Sequence, residues 1–368
     1  MPTHVDLSGA LVAEKSQLHS FICRCMSTLG TDESHAKQLA DVLISGDYRG
    51  HYSHGINRLG MYIADISKGV CAKSGKPEVL KEKAATAWVD GQNLLGPVVG
   101  NFCMDLAVEK ARNSGVGWVT CKRSNHFGIA GWYSLRAMEH GMIGIAMTNT
   151  SPIEFPTRSA KAALGTNPIA IGANATEGDS FVLDMATTSV AVGKVEIALR
   201  TGQQEIPHSW AVDKDGRETL DPHVMFEQGG GMFPLGGKEI TSGYKGYGLS
   251  AMVELFCGIM GGGDWGPNVR RWMDTDRDAN LGHCFIAVDP NQFAPAFHDR
   301  LQAMLDTLRS LPTTSESKRV LVAGDPEREH MALCDRLHGI PYHPQQIDYC
   351  HSLAAQCGVE TIQTRKAK

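Results

Sequence analysis

The stretch Gly261-Gly262-Gly263-Asp264-Trp265-Gly266-Pro267 carries the spacing G-x-G-x-x-G at Gly261, Gly263 and Gly266. In a Rossmann unit such glycines join a strand to the helix after it, and an acidic residue stands about twenty positions on, behind a second strand. Here they follow a long apolar helical run over 249–260. Asp264 and Trp265 sit inside the motif, Pro267 comes just after it, and no acidic residue follows in the required setting. The segment reads as a glycine-rich helix stop. A doubly wound parallel sheet thereby loses its main support. No Walker loop and no G-x-S-x-G elbow occurs to suggest a triphosphate or hydrolase site.

Outward from that point the pattern divides the chain. Residues 11–29 place Leu11, Leu18, Phe21, Ile22, Cys25 and Leu29 at helical spacing before Gly30. Thr31-Asp32-Glu33-Ser34 reads as a helix start into 36–44, and a third helix is expected over 56–67. In the middle, β-type runs at 87–89, 116–120, 143–148, 168–171, 181–185 and 210–212 alternate with helices at 102–113, 131–140 and 192–200. Residues 214–243 are rich in turn formers and read as a long folded loop. Beyond the glycines come a strand at 284–288, a helix at 293–311, a strand at 320–323 and a helix at 327–337. The fold class expected is α/β (α+β). Its parts are an N-terminal helical region (1–85), a β-rich middle (86–260) and a C-terminal α/β region (261–368) packing back on the first.

The 368 residues are 42% hydrophobic and 20% charged, enough apolar surface to bury a large core, which argues against disorder. A formal net charge of −5 speaks against nucleic acid or an anionic membrane as partner. It leaves room for a small anionic ligand, which needs only one or two placed cations. The ten cysteines include no C-x-x-C pair, and His51 and His54 form H-x-x-H with no glutamate between, so no metal is expected. No apolar run is long enough to span a bilayer, and Met1-Pro2-Thr3-His4-Val5-Asp6 lacks the features of a secretory leader. The expectation is a reduced, cytoplasmic protein.

Three segments could carry chemistry. In Asp47-Tyr48-Arg49-Gly50-His51-Tyr52-Ser53-His54-Gly55-Ile56-Asn57-Arg58, a helix running on from Gly55 would align His54, Arg58 and Tyr62 at i, i+4 and i+8, with Ser53 as cap. Such a face suits a 2-oxo or 2-hydroxy acid. A guanidinium grips the carboxylate with two bonds, and a neutral imidazole exchanges the hydroxyl proton. The bland alternative is a wet polar face. In Lys122-Arg123-Ser124-Asn125-His126-Phe127-Gly128, Asn125 and His126 project from a strand-to-helix turn, as a site pair or as an Asn-stabilised turn. In Ser242-Gly243-Tyr244-Lys245-Gly246, Lys245 meets a helix start and could hold a carboxylate or phosphate, or simply mark a helix-entry turn.

Five motifs in order make the chain recognisable: R-G-x-x-S-H-G-x-x-R over 49–58, S-N-H-F-G over 124–128, G-T-N-P over 165–168, L-D-M-A-T over 183–187 and Y-K-G-Y-G-L over 244–249. Together they resemble the second malate/lactate dehydrogenase family, which includes ureidoglycolate, sulfolactate and diketogulonate enzymes and a cyclic-imine reductase. The resemblance covers nearly the whole chain. It implies a non-Rossmann fold that binds NAD or NADP on a mostly antiparallel sheet, and a homodimer with the site near the subunit boundary. It implies a hydride transfer between nicotinamide and C2 of a small 2-hydroxy or 2-oxo acid. The acid/base candidates are His126 and His54, with His126 favoured. Ser53, His54, Arg58 and Tyr62 are implied as substrate-binding, with Asn125 beside the histidine. Thr150, Ser151, Asp184, Met185, Ala186, Lys245, Gly324 and Asp325 are implied as cofactor-binding. Where many relatives have P-G-E, this chain has Ala323-Gly324-Asp325, which bears on the adenosine end. Reduction of a cyclic imine acid, and a homologue that binds cofactor without catalysis, are the alternatives.

Overall fold

The computed structural model describes residues 7–200, 202–314 and 318–367; the N-terminal stretch considered for a leader lies outside them. The chain opens with β1 (Leu11–Ala13), α1 (Lys15–Thr28), α2 (Glu33–Tyr48) and α3 (Leu59–Ser67). There follow β2 (Glu78–Glu82), β3 (Thr86–Asp90), α4 (Gly96–Ser114), β4 (Val116–Ser124), α5 (Gly131–Met138), β5 (Ile143–Thr148), β6 (Ile169–Asn174) and β7 (Ser180–Met185). A small lobe holds α6 (Val192–Arg200), β8 (Ala211–Val212), β9 (Glu218–Thr219), α7 (Pro222–Glu227) and β10 (Gly231–Met232). Then come α8 (Gly243–Glu254), β11 (Leu281–Val288), α9 (Phe297–Arg309), α10 (Asp325–Arg336), β12 (Ile340–Tyr342), α11 (Pro344–Cys357) and β13 (Thr364–Lys366).

The main sheet has seven strands in the order β2-β3-β4-β11-β5-β6-β7. Only β3 and β4 pair in parallel; the other neighbours are antiparallel. A mostly antiparallel sheet is what the family resemblance implied. The sheet also draws β2 and β11 from outside the 86–260 span. Strand β11 reaches the centre because its residues from Leu281 to Ala287 are all buried, the pattern of a strand covered on both faces. Helix α4 lies on β4 and β11, and α5 on β5 and β6. Glycines set how closely they lie. A Cβ at Gly117 in β4 would stand 1.9 Å from the Ala107 carbonyl oxygen, and one at Gly144 in β5 would stand 2.6 Å from Ser134 O.

The chain termini meet in a second sheet, where β1 runs antiparallel to both β12 and β13. One core joins this layer to the main sheet, from Leu18 and Phe21 of α1 to Phe285 of β11. The small lobe has a separate core of Val195, Ala198, Ile206, Ala211, Met225 and Met232.

Several boundaries move. The helix expected from residue 11 begins as β1, because Leu11–Ala13 find strand partners at Ile340–Tyr342 and Thr364–Lys366, near the other end of the chain. Residues 214–243 contain α7 and two short strands rather than one loop. The strand expected at 320–323 does not form; one bond, from Val182 N–H to Ala323 O (3.1 Å), lays the segment beside β7. The helical run expected to Met260 passes into a π-helical turn at Leu255–Ile259. Just beyond it, a Cβ at Gly261 would stand 2.6 Å from Cys121 O, and Trp88 Nε1–H donates to Gly261 O at 2.6 Å. This glycine lets the helix end press on β4, a packing role.

Substituting Gly117→Ala should force α4 off β4 and cost about 3 kcal/mol, as overpacked cores do. A urea denaturation midpoint equal to the parent's would show that α4 and β4 are not so closely apposed.

Candidate functional site

Two site loops start at neighbouring strand ends. Ser124 closes β4, Thr148 closes β5, and His283 stands between them on β11. Its Nε2 lies 2.7 Å from Ser124 Oγ and its Nδ1 lies 2.7 Å from Thr148 Oγ1. The ring is fully buried and stacks on Phe127 with centroids 4.6 Å apart. Burial pushes its pKa down to about 3, so it bridges the two ends as a neutral group.

A third segment, 52–58, is pinned from below. Asp47 at the end of α2 accepts the Ile56 N–H (2.9 Å) and the Tyr342 hydroxyl (2.8 Å) on one carboxylate oxygen. A Cβ at Gly55 would stand 1.7 Å from the other oxygen, so only glycine fits there. The segment is two short 3-10 turns, Tyr52–His54 and Ile56–Arg58, rather than the start of one helix. Ser53 does not cap it; its Oγ lies 2.8 Å from His54 Nδ1.

The three segments converge on His126. Its Nδ1 lies 2.6 Å from Tyr62 Oη, and Trp272 stacks on its ring at 3.8 Å between centroids. The His54 ring lies nearly parallel at 5.8 Å. Trp272 is itself placed by Ser151, whose Oγ accepts from Trp272 N–H (2.8 Å) and donates to Arg270 O (3.1 Å). Arg270 is locked to Asp65 by a buried pair at 3.1 Å. With Nδ1 engaged, Nε2 is the nitrogen left for a ligand. Burial, helped by His54 and Arg58, holds His126 well below the ordinary histidine value. Burial and the Arg58 charge bring His54 down to about 3. Both imidazoles are neutral at physiological pH, as proton acceptors must be.

Arg58 lies beside them and is nearly buried, but its fork is engaged. Nε donates to Ser53 O (2.7 Å), while Nη1 and Nη2 donate to the two carboxylate oxygens of Glu196 on α6 (3.3 and 2.8 Å). A cleft of about 740 Å³ opens over these groups. Ser53, His54, Arg58 and His126 line it, as do Thr150, Ser151, Asp184, Met185 and Ala186. Asp184 also accepts the Gly131 N–H at the start of α5 (2.9 Å), and burial raises its pKa.

Five expected site residues stand elsewhere. Tyr62 is behind His126, where it orients the ring. Asn125 is buried, and its amide N–H groups go to Asn93 and to Leu94 O, which ties down the turn before His126. Lys245 is exposed on α8, away from the cleft lining. Gly324 takes φ +99° to start α10, and Asp325 accepts from Arg309, Arg328 and Val322 N–H. Burial of Asp325 acts the other way, but those donors prevail and bring it to about 2. Its oxygens are taken by the protein itself. Trp272, Glu196, Asp47 and His283 were not anticipated, because none belongs to a spacing pattern. Asp47 alone had a cue, standing just ahead of a run of site-type residues.

The model of a family described as malate/L-lactate dehydrogenase matches residues 13–350. A malate dehydrogenase of Pyrococcus abyssi is 39% identical over 353 residues, 95% of this chain and 96% of that protein. An L-sulfolactate dehydrogenase of Methanocaldococcus jannaschii is 40% identical over 309 residues, 83% and 86% of the two chains. The solved structure of malate dehydrogenase from Pyrococcus horikoshii superposes with a TM-score of 0.88 at 37% identity, covering 97% of this chain and 98% of that one.

Burial raises Asp47 from 3.8 to about 7, against the hydrogen bonds from Ile56 and Tyr342. Between those values the folded chain keeps a proton that the unfolded chain has lost. Its contribution to stability therefore falls as pH rises from about 4 to 7, by on the order of 4 kcal/mol at most, and is flat above. Asp47→Asn lacks this term. The melting temperature of the variant minus that of the parent should climb from pH 4 to 7 and then level; a difference independent of pH would contradict the assignment.

Proposed function

We propose, from the premise that the chain belongs to the malate/L-lactate dehydrogenase family and is an oxidoreductase acting on CH–OH donors, that it moves a hydride between NAD or NADP and C2 of a small 2-hydroxy or 2-oxo acid. The observation that carries this reading is His126: a neutral imidazole, fixed through Nδ1 and by the Trp272 stack, facing a cleft that also contains Arg58. The cleft volume suits a dinucleotide, since ligand pockets run from roughly 300 to 1,000 Å³. Thr150, Ser151 and the Asp184-Met185-Ala186 run are the residues on its wall that would hold the cofactor. When bound, the nicotinamide supplies or accepts the hydride at substrate C2.

The protein's own part is orientation and proton transfer. Arg58 offers a planar fork to the substrate carboxylate. His126 Nε2 takes the hydroxyl proton in oxidation and returns it in reduction. For Nε2 to take that proton the neutral ring carries its own on Nδ1, which donates to the Tyr62 hydroxyl oxygen at 2.6 Å, and the same bond holds the imidazolium formed when Nε2 is protonated. Trp272 packs on both rings and screens the pair from water. Exposed Tyr244, Tyr247, Leu255 and Ile259 share one face of α8 and its π-helical continuation, and this favours a homodimer. Ten unpaired cysteines suit the cytoplasm.

The decisive experiment follows cofactor absorbance with NADH and NADPH across 2-oxo acids that carry a methyl, a second carboxylate or a sulfonate beyond C2, with cyclic imine acids alongside. Turnover of a 2-oxo acid is expected; turnover of imines alone would replace the reading. His126→Ala should cut kcat by about 10²–10⁴-fold, the usual share of a general acid–base. A drop of only a few-fold would shift the role to His54. Arg58→Lys should raise the substrate KM by on the order of tenfold or more, because a point charge cannot replace a two-bond grip. Unchanged kinetics would remove Arg58 from the site.

A further inference from the structure

We infer that Glu196 is a resident competitor for the substrate carboxylate, and that it determines which acids the cleft accepts. This rests on Arg58 being the carboxylate anchor, as proposed above. Arg58 has two edges that can bind. Its Nε is committed to Ser53 O, and its Nη1–Nη2 edge is the one a carboxylate would grip with two bonds. Glu196 already holds that edge in that geometry, at 3.3 and 2.8 Å. Only 11% of the Arg58 side chain and 20% of the Glu196 side chain are exposed, so water screens the pair little.

Among the described residues of the cleft lining, Arg58 is the buried cation beside His126. The other buried arginine of the cleft, Arg270, is paired with Asp65, and the lining cations Lys161, Lys214 and Arg271 are exposed. A substrate carboxylate must therefore displace Glu196 or fail to bind, and its apparent affinity is reduced by the fraction of molecules in which Glu196 holds the fork. The exchange falls to the Glu196 side chain and not to its helix: α6 packs through Val195 and Ala198 on the small lobe's own core, and at Gly193, where a Cβ would stand 2.3 Å from Ser53 Cβ, it presses on the segment that carries Arg58.

The competition also discriminates. A plain carboxylate offers Arg58 nothing that Glu196 does not offer without leaving the protein. A molecule with an oxygen on the adjacent carbon gains a second contact, at His126 Nε2, and that contact tips the exchange. Glu196 thus filters for acids that carry a 2-oxo or 2-hydroxy group and against simple monocarboxylates.

The test is a titration with oxamate, which carries a carboxylate next to a carbonyl. It is followed by tryptophan fluorescence, because the Trp272 ring lies 6.0 Å from the Arg58 guanidinium. Glu196→Gln, which keeps shape and loses charge, should bind oxamate about tenfold more tightly than the parent chain. Its preference for oxamate over acetate should shrink. Glu196→Asp, too short to span the fork, should fall between. An unchanged or weaker oxamate affinity in Glu196→Gln would overturn the inference and make Glu196 a support for Arg58. The readout needs no turnover. A chain that reduces no 2-oxo acid yet shows the tenfold gain would lose the dehydrogenase reading and keep the competition.

Discussion

The bridge from His283 to Ser124 and Thr148 sets the site. Three adjacent antiparallel strands deliver their ends to one edge of the sheet, and this buried ring fixes two of those ends to each other. From Ser124 the chain turns directly into Asn125 and His126. From Thr148 it runs through Thr150 into Ser151, which positions Trp272. Both faces of the His126 environment are therefore referenced to one imidazole that stands outside the cleft lining. A ring that is neutral, fully buried and bonded at both nitrogens is a rigid spacer, because each nitrogen has a single role to fill.

The electrostatics follow from how little water reaches these groups. Burial discourages charge on His54 and His126, and the nearby Arg58 discourages it further. Two arginines of the cleft are held by carboxylates, Arg58 by Glu196 and Arg270 by Asp65. Charge must otherwise arrive with a ligand, in a setting where it interacts strongly because the dielectric is low. Asp47 belongs to the same economy of burial. It organises the 52–58 segment by accepting a backbone N–H and a hydroxyl, which a half-protonated carboxyl still does.

Much of this was legible in the sequence wherever local rules govern. Asp32 caps α2 as its position suggested, and the runs at 116–120, 143–148 and 181–185 form strands because alternation and β-branching act locally. The glycine fingerprint at 261–266 was rightly set aside on its context alone. Ser53, His54, Arg58 and His126 were found from spacing and motif, and the structure brings them together. What stayed hidden depends on partners far away in the chain. Residues 11–13 look like the first turn of a helix until strands from the other terminus are present. Glu196 looks like any acidic residue of an amphipathic helix until the fold sets it against a residue 138 positions earlier. The family resemblance implied Asp325 as a cofactor contact, yet the arginines that claim it, Arg309 and Arg328, are ordinary helix-surface residues in sequence.

The pairing of β1 between β12 and β13 bears on how the molecule is made. While the ribosome is still at work, the first strand has no neighbour, since both are encoded in the last thirty or so residues of the described chain. The N-terminal helices carry the Asp47 support for the 52–58 segment, and one of the two hydrogen bonds at that support comes from the Tyr342 hydroxyl. The binding cleft is therefore completed only after the C-terminal strands have emerged, so a nascent or prematurely terminated chain holds an unfinished site.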